Sequence, residues 1–329
     1  MHTGRKEKNL ELNLGKVCNN RCIFCLDGRS TKAARKWLPL KRAKEEMQIA
    51  RAGGVSSLGL LGGEPTAHPR ILRIVSMAKD MGFSRIALAS NGLKLADGKF
   101  AADLVESGVT RVGISIHGHR AEIEDYLSGR KGNFEKKVRA IKNLLQLHAG
   151  GKLPHNVSLN AVLTRYVLRS MAPFCAFFKK MGCSDVRFNM IRTDTCMERG
   201  KELTPGLSEL GPAVIKTILA NEKILKMEVS FGDIPLCVYP WDILRNRRLV
   251  SRYVGELRDL DTSCAVFGSP ADGSVDAQRF KWTDRKKEAL KVRTGECGTC
   301  TAAGLCEGVW RSYVELNGTD EIKAVRVKL

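Results

Sequence analysis

The strongest constraint on the fold of this chain is a repeated change of hydrophobic period over its first 190 residues. Leu10, Leu12 and Leu14 alternate with polar residues, the two-residue period of a strand with one apolar face. Pro39 then opens a helical stretch with Ala43, Met47 and Ala50 on one face, and Gly53-Gly54 stops it. The pattern recurs. Residues 55–61, 85–89, 109–116, 157–163 and 186–191 have the character of strands. Helical stretches after Pro69, over 100–105, along 134–145 and over 174–181 lie between them. About six βα units in a row imply a parallel sheet with helices outside. Glycine-rich signals follow several strands, which favours a partial (β/α)6 barrel, with a site around the C-terminal mouth of the strands, over a flat doubly wound sheet. Beyond about residue 200 the pattern changes. Residues 210–225 form one predicted helix, and the rest is irregular, with turn residues, charge runs and clustered cysteines. The expected division is a barrel over 9–200 and a smaller C-terminal region over 201–329.

Of the 329 residues, 43% are hydrophobic and 27% charged, which suits a folded α/β protein and excludes a mostly disordered one. No apolar run reaches the ~18 residues a membrane span needs. The first eight residues are charged and lack the apolar core of a secretory signal, so the expected location is cytoplasmic. In a reducing compartment eleven cysteines form a poor disulfide framework. Cys175, Cys183 and Cys196 sit among apolar neighbours and are expected to be small core hydrophobes. Cys237 and Cys264 stand apart. Cys18-x3-Cys22-x2-Cys25 and Cys297-x2-Cys300-x5-Cys306 are tight groups that call for metal chemistry.

The first group directly follows the first strand. Three thiolates on one loop can bind three irons of a four-iron cluster and leave the fourth open to a small molecule. Zinc is the rival, and would need a further ligand such as His68 or His117. After the second strand comes Gly62-Gly63-Glu64-Pro65, which alone could be a turn. The cysteine loop, with Phe24 before its last cysteine, and this GGEP turn together resemble the radical S-adenosylmethionine (radical SAM) superfamily over roughly residues 9–195. The resemblance implies that Cys18, Cys22 and Cys25 hold a [4Fe-4S] cluster whose open iron is chelated by SAM. It implies that Gly62, Gly63 and Glu64 receive the SAM ammonium and that Phe24 lies near the adenine. At the ends of later strands, Ser90, Asn91, Ser115 and Asn160, with His117 as a weaker candidate, are expected at the ribose or carboxylate. The alternative for each is a polar group satisfied by backbone.

The second group resembles part of the SPASM and twitch extensions of radical SAM enzymes. That resemblance implies one auxiliary [4Fe-4S] cluster on Cys297, Cys300 and Cys306. Trp310 stands where the full SPASM pattern has a further cysteine, so a second auxiliary cluster is not expected. Cys237 is the favoured fourth ligand, Cys264 its competitor, and a structural zinc site the alternative.

The net charge is +20. Basic runs at Arg35-Lys36, Lys41-Arg42-Lys44, Arg245-Asn246-Arg247-Arg248 and Arg285-Lys286-Lys287 accompany Tyr239, Trp241, Tyr253, Trp282 and Trp310. Such a set could bind RNA or an acidic peptide, or could be solvated faces beside core aromatics. The family resemblance implies an enzyme that reductively cleaves SAM and takes hydrogen from a substrate, supplied with electrons by a donor such as flavodoxin or ferredoxin. The expected substrate is a peptide or protein side chain. A nucleotide or RNA is the second reading, and a non-catalytic metal-binding regulator the third. No peptide-leader domain is expected before the first strand.

Overall fold

The computed structural model describes residues 7–26, 36–193, 199–266 and 278–326. Cys196 and Arg35 lie outside these residues. One nine-stranded sheet has the order β7-β6-β5-β4-β3-β2-β1-β8-β9. Its strands are β1 (Lys8–Asn13), β2 (Ser57–Leu61), β3 (Arg85–Ser90), β4 (Arg111–Ser115), β5 (Ser158–Leu163), β6 (Asp185–Met190), β7 (Glu228–Gly232), β8 (Asp261–Val266) and β9 (Gln278–Lys281). Every pairing from β7 to β8 is parallel, and β9 is antiparallel. The crossovers run through α1 (Leu40–Ala52), α2 (Ile71–Asp80), α3 (Gly98–Glu106), α4 (Ala121–Ser128), α5 (Asn133–Ala149), the short α6 (Arg165–Leu168), α7 (Met171–Met181), the short α8 (Gly200–Leu203) and α9 (Leu207–Ala220). This is the expected partial barrel.

The two faces of the sheet differ in chemistry. Leu10, Leu12, Leu58, Leu60, Ile86, Leu88, Val112, Ile114, Leu159 and Val186 point outward and are buried. Opposite them, α2 turns inward with Ile71, Ile74, Val75 and Ala78. Each such aliphatic residue contributes about 1.5–3 kcal/mol by burial. The inward positions, linked across the register, run through Glu11, Gly59, Ser115, Asn160, Arg187 and Ser230. A packed barrel carries branched apolar residues there. Polar and small residues cannot close such a core, and a cavity of about 720 Å³ lies inside.

The sheet does not stop at residue 200. β7 and β8, both beyond that point, add to its two flanks, and residues expected to be irregular supply β8. Its six-residue run is too short for periodicity alone to separate from loop. The expected helix over 210–225 is α-helical only to Ala220 and ends in a π-helical turn over Asn221–Leu225. A small antiparallel pair, β10 (Lys291–Val292) with β11 (Val309–Trp310), brackets the second cysteine group. Among the described residues no helix is long and apolar enough to cross a membrane.

Candidate functional site

Because β1 to β4 are parallel, the segments after them share one rim. Leu14 N–H donates to Leu61 O at 2.7 Å, Gly63 N–H to Gly15 O at 2.7 Å, and Glu64 N–H to Val17 O at 2.9 Å. The GGEP turn is thereby zipped to the start of the cysteine loop. Gly62 adopts φ +140°, and a Cβ on Gly63 would lie 2.3 Å from Val17 O. Gly63→Ala must therefore push the loop away. We expect a loss of about 1–3 kcal/mol, read by chemical denaturation, with weakened iron retention.

The loop also aims donors at its own sulfurs. Asn20 donates through its backbone N–H to Cys18 Sγ at 3.4 Å and through Nδ2 to Cys22 Sγ at 3.2 Å. Asn91 Nδ2 reaches Asn19 Oδ1 at 2.7 Å and Cys18 Sγ at 3.7 Å. Burial pushes the Cys18 thiol up, and pushes that of Cys22 up to about 12 against the pull of the Lys137 ammonium. Metal binding here must release protons. N–H donors and a buried ammonium favour the thiolate once metal holds it. Three cysteine thiols on one loop, with donors aimed at Cys18 and Cys22, fit a cluster with one open iron.

Glu64 is 1% exposed. Its carboxylate accepts from Thr66 N–H at 3.0 Å, Thr66 Oγ1 at 2.5 Å, Ser90 Oγ at 2.7 Å and Asn91 N–H at 2.6 Å. It ties the turn to the end of β3. Ser90 and Asn91 therefore stand beside Glu64, and Asn91 beside the cysteine loop. Phe24 meets His117 edge-on, with ring centroids 4.6 Å apart. His117 Nδ1 accepts from Val162 N–H at 3.1 Å, and burial drives the ring's pKa well below its usual value. The imidazole is neutral, with its proton on Nε2. Ser115 follows on β4, and Asn160, its register partner, lines the cavity.

Several residues of this rim were not anticipated. Lys137 and Glu124 form an ion pair at 2.6 Å with both side chains fully buried. Lys137 Nζ also donates to Ser115 O at 2.7 Å, and Glu124 accepts the N–H groups of His117 and Gly118. Asn133 Nδ2 donates to Asn20 Oδ1 at 2.8 Å. The asparagines next to Cys18 were visible in the loop. Lys137 and Glu124 look like ordinary helix-surface charges until the fold buries them.

In the C-terminal region Cys237, Cys297, Cys300 and Cys306 line one small cavity with Leu236, Ala302, Val309 and Ile322. Cys300 Sγ accepts from Val325 N–H and Cys306 Sγ from Gly308 N–H, each at 3.4 Å. Burial pushes the Cys237 thiol up to about 11 and that of Cys306 upward. Four sulfurs around an apolar void suit a soft metal or an iron–sulfur cluster. Cys264 lies elsewhere, on β8, donating to Glu11 Oε2 at 3.6 Å.

The charges of the barrel cavity are mutually engaged. Arg111 pairs with Asp185, Arg187 with Asp259, Arg258 with Glu228 at 3.1 Å, and Lys286 with Glu307 at 2.5 Å. Arg85 donates to Ser57 Oγ at 3.2 Å. Asp233, Glu256 and Glu307 bring oxygens within 4.8 Å of one another. Lys291 already sits 2.9 Å from Asp233 and 2.8 Å from Glu307, so this cluster is an ion-pair network.

Residues 12–163 match the sequence model of the Radical SAM superfamily. A curated protein named "Probable GTP 3',8-cyclase" from Sulfurisphaera tokodaii is 30% identical over 166 residues, 49% of each chain. One of the same name from Methanopyrus kandleri is 28% identical over 173 residues, 51% of this chain and 52% of that one. The chain thus aligns with about half the length of these relatives. Among solved structures, anSMEcpe with bound AdoMet and Kp18Cys peptide superposes with a TM-score of 0.64 at 17% identity, covering 97% of this chain and 93% of that one. Streptococcus suis SuiB bound to precursor peptide SuiA gives 0.63 at 14% identity, covering 98% and 75%. These two likenesses establish the fold.

Proposed function

We propose that this chain, whose residues 12–163 belong to the radical SAM superfamily, is an enzyme that cleaves SAM reductively and takes a hydrogen atom from a peptide or protein side chain. Cys18, Cys22 and Cys25 hold the [4Fe-4S] cluster in this reading. When bound, that cluster supplies the electron that splits SAM into methionine and a 5′-deoxyadenosyl radical. The protein's own residues bind and orient. Gly62 and Gly63 let SAM approach the turn backbone, and their carbonyls receive its ammonium, because the Glu64 carboxylate is already engaged by Thr66, Ser90 and Asn91. Phe24 and the neutral His117 wall the adenine side. Ser115 and Asn160 face the ribose and carboxylate. Cys237, Cys297, Cys300 and Cys306 hold the auxiliary cluster. Four thiolates would leave no iron of such a cluster open, which would suit the site to electron transfer rather than substrate ligation.

The observation that supports the substrate class is the pairing along the cavity, which runs from the first residues of β3, β4, β6 and β8 (Arg85, Arg111, Asp185 and Asp261) up to Asn189 and Asp233 near the ends of β6 and β7. Polyphosphate recognition needs arginines and lysines free to meet phosphate oxygens. Here the basic side chains at the cavity are largely engaged by carboxylates. A triphosphate would meet Asp185, Asp233, Glu256, Asp259, Asp261 and Glu307 along the same wall. Peptide amides and neutral or amine-bearing side chains match Asn9, Ser158, Asn160, Asn189 and Ser230. The peptide complexes of the solved neighbours agree with this reading. The name of the curated relatives points to GTP, across an alignment that covers half of this chain.

The test is anaerobic. Reconstituted protein reduced with dithionite is expected to convert SAM to methionine and 5′-deoxyadenosine. The Cys18→Ala/Cys22→Ala/Cys25→Ala variant should form none. GTP at millimolar concentration should neither bind nor accelerate the reaction. GTP-dependent turnover would replace the peptide reading with the nucleotide one, and absence of cleavage would leave a metal-binding regulator.

A further inference from the structure

We propose that the corner where the α4–α5 turn lies on the Cys22 segment is the docking surface for an acidic one-electron carrier. The inference rests on the radical SAM reading and adds where its electrons enter. Ile23 N–H donates to Leu127 O at 3.0 Å. Gly129, at φ +71°, lies so close that a Cβ there would stand 2.3 Å from Arg21 O. Asn133 Nδ2 bonds Asn20 Oδ1 at 2.8 Å. The turn therefore lies directly on residues 20–23, and a protein seated on it sits against the segment that carries Cys22.

The charge of that corner is one-sided. Arg21, Arg130, Lys131 and Lys136 are exposed. Glu135 is an exposed acid beside them, and Asp125 is turned inward onto the N–H groups of Gly132 and Phe134. Four cations around the covering turn give a local positive field that steers an acidic protein and sets its orientation. The same chemistry could attract RNA. Its position over the cysteine loop, rather than along the cavity wall, favours the electron carrier.

The test uses the full chain carrying Arg130→Glu, Lys131→Glu and Lys136→Glu, none of which is placed at the SAM, cluster or substrate sites. Binding of an oxidised flavodoxin with an acidic surface is measured by calorimetry at low and high salt. The wild type should bind and lose affinity with salt. The variant should bind about ten-fold more weakly or worse, with little salt dependence left. Cleavage of SAM driven by reduced flavodoxin should fall by a similar factor, while cleavage driven by dithionite stays unchanged. Equal flavodoxin affinity in both proteins overturns the proposal. So does a loss confined to binding of a single-stranded RNA oligomer. Absence of dithionite-driven cleavage in the wild type would instead strike the enzymatic reading, because the binding arm does not depend on turnover.

Discussion

Lys137→Met is expected to destabilise the protein by about 3–5 kcal/mol, the usual consequence of removing one partner from a buried ion pair. Both side chains of the Lys137–Glu124 pair are fully buried. Without the ammonium, Glu124 keeps the N–H donors of His117 and Gly118 but must hold its charge away from water. Burial already pushes its carboxyl up against the pull of Lys137. In the variant the folded-state value rises further above the unfolded one. A group raised in this way contributes stability below its unfolded pKa and loses it as pH rises through its folded pKa. Urea denaturation should therefore show the deficit shrinking on acidification, and Glu124→Gln/Lys137→Met should recover part of it at neutral pH. A variant as stable as wild type at pH 7 would remove the pair from any role in holding the rim. Lys137 also bonds Ser115 O and lies close enough to Cys22 to pull its thiol down. The same substitution should weaken iron retention in the first site.

The second large effect concerns the C-terminal cysteines. In the Cys18→Ala/Cys22→Ala/Cys25→Ala background, reconstituted protein is expected to keep about four irons per chain, the content of one [4Fe-4S] cluster. Adding Cys237→Ala should take iron to near zero after desalting against a chelator. Adding Cys264→Ala should leave it. The distinction follows from position, since Cys237 shares one cavity with Cys297, Cys300 and Cys306 while Cys264 bonds Glu11 inside the barrel. Zinc in place of iron would keep the ligand set and remove the electron-transfer role. Iron retained without Cys237 would refute the ligand assignment itself.

Much of the architecture was legible because its signals are local. Six βα units show as alternating periods punctuated by glycine and proline, and β1 to β6 appear where those periods change. Cys175 and Cys183, expected in the core, are buried there. The cysteine loop and the GGEP turn were legible for the same reason, since each is a short run whose spacing carries the chemistry. β8 was not. Six residues outside the regular alternation of strand and helix leave too little period to read, and only pairing with β1 defines them.

The sequence by itself determined the fold class, the match of residues 12–163 to the radical SAM model, and the order of the two cysteine groups, because backbone period and ligand spacing are properties of neighbours along the chain. Tertiary structure alone decided three further matters. It brought Cys237 rather than Cys264 to the second group, across the long intervening chain between Cys237 and Cys297. It turned Glu64 from a free carboxylate into the tie between two strand ends. It buried Lys137 against Glu124 and paired Arg111 and Arg187 of the cavity with aspartates. The physical reason is common to all three. Whether a charge or a thiol is free to act depends on what surrounds it in space, and those neighbours come from distant parts of the chain.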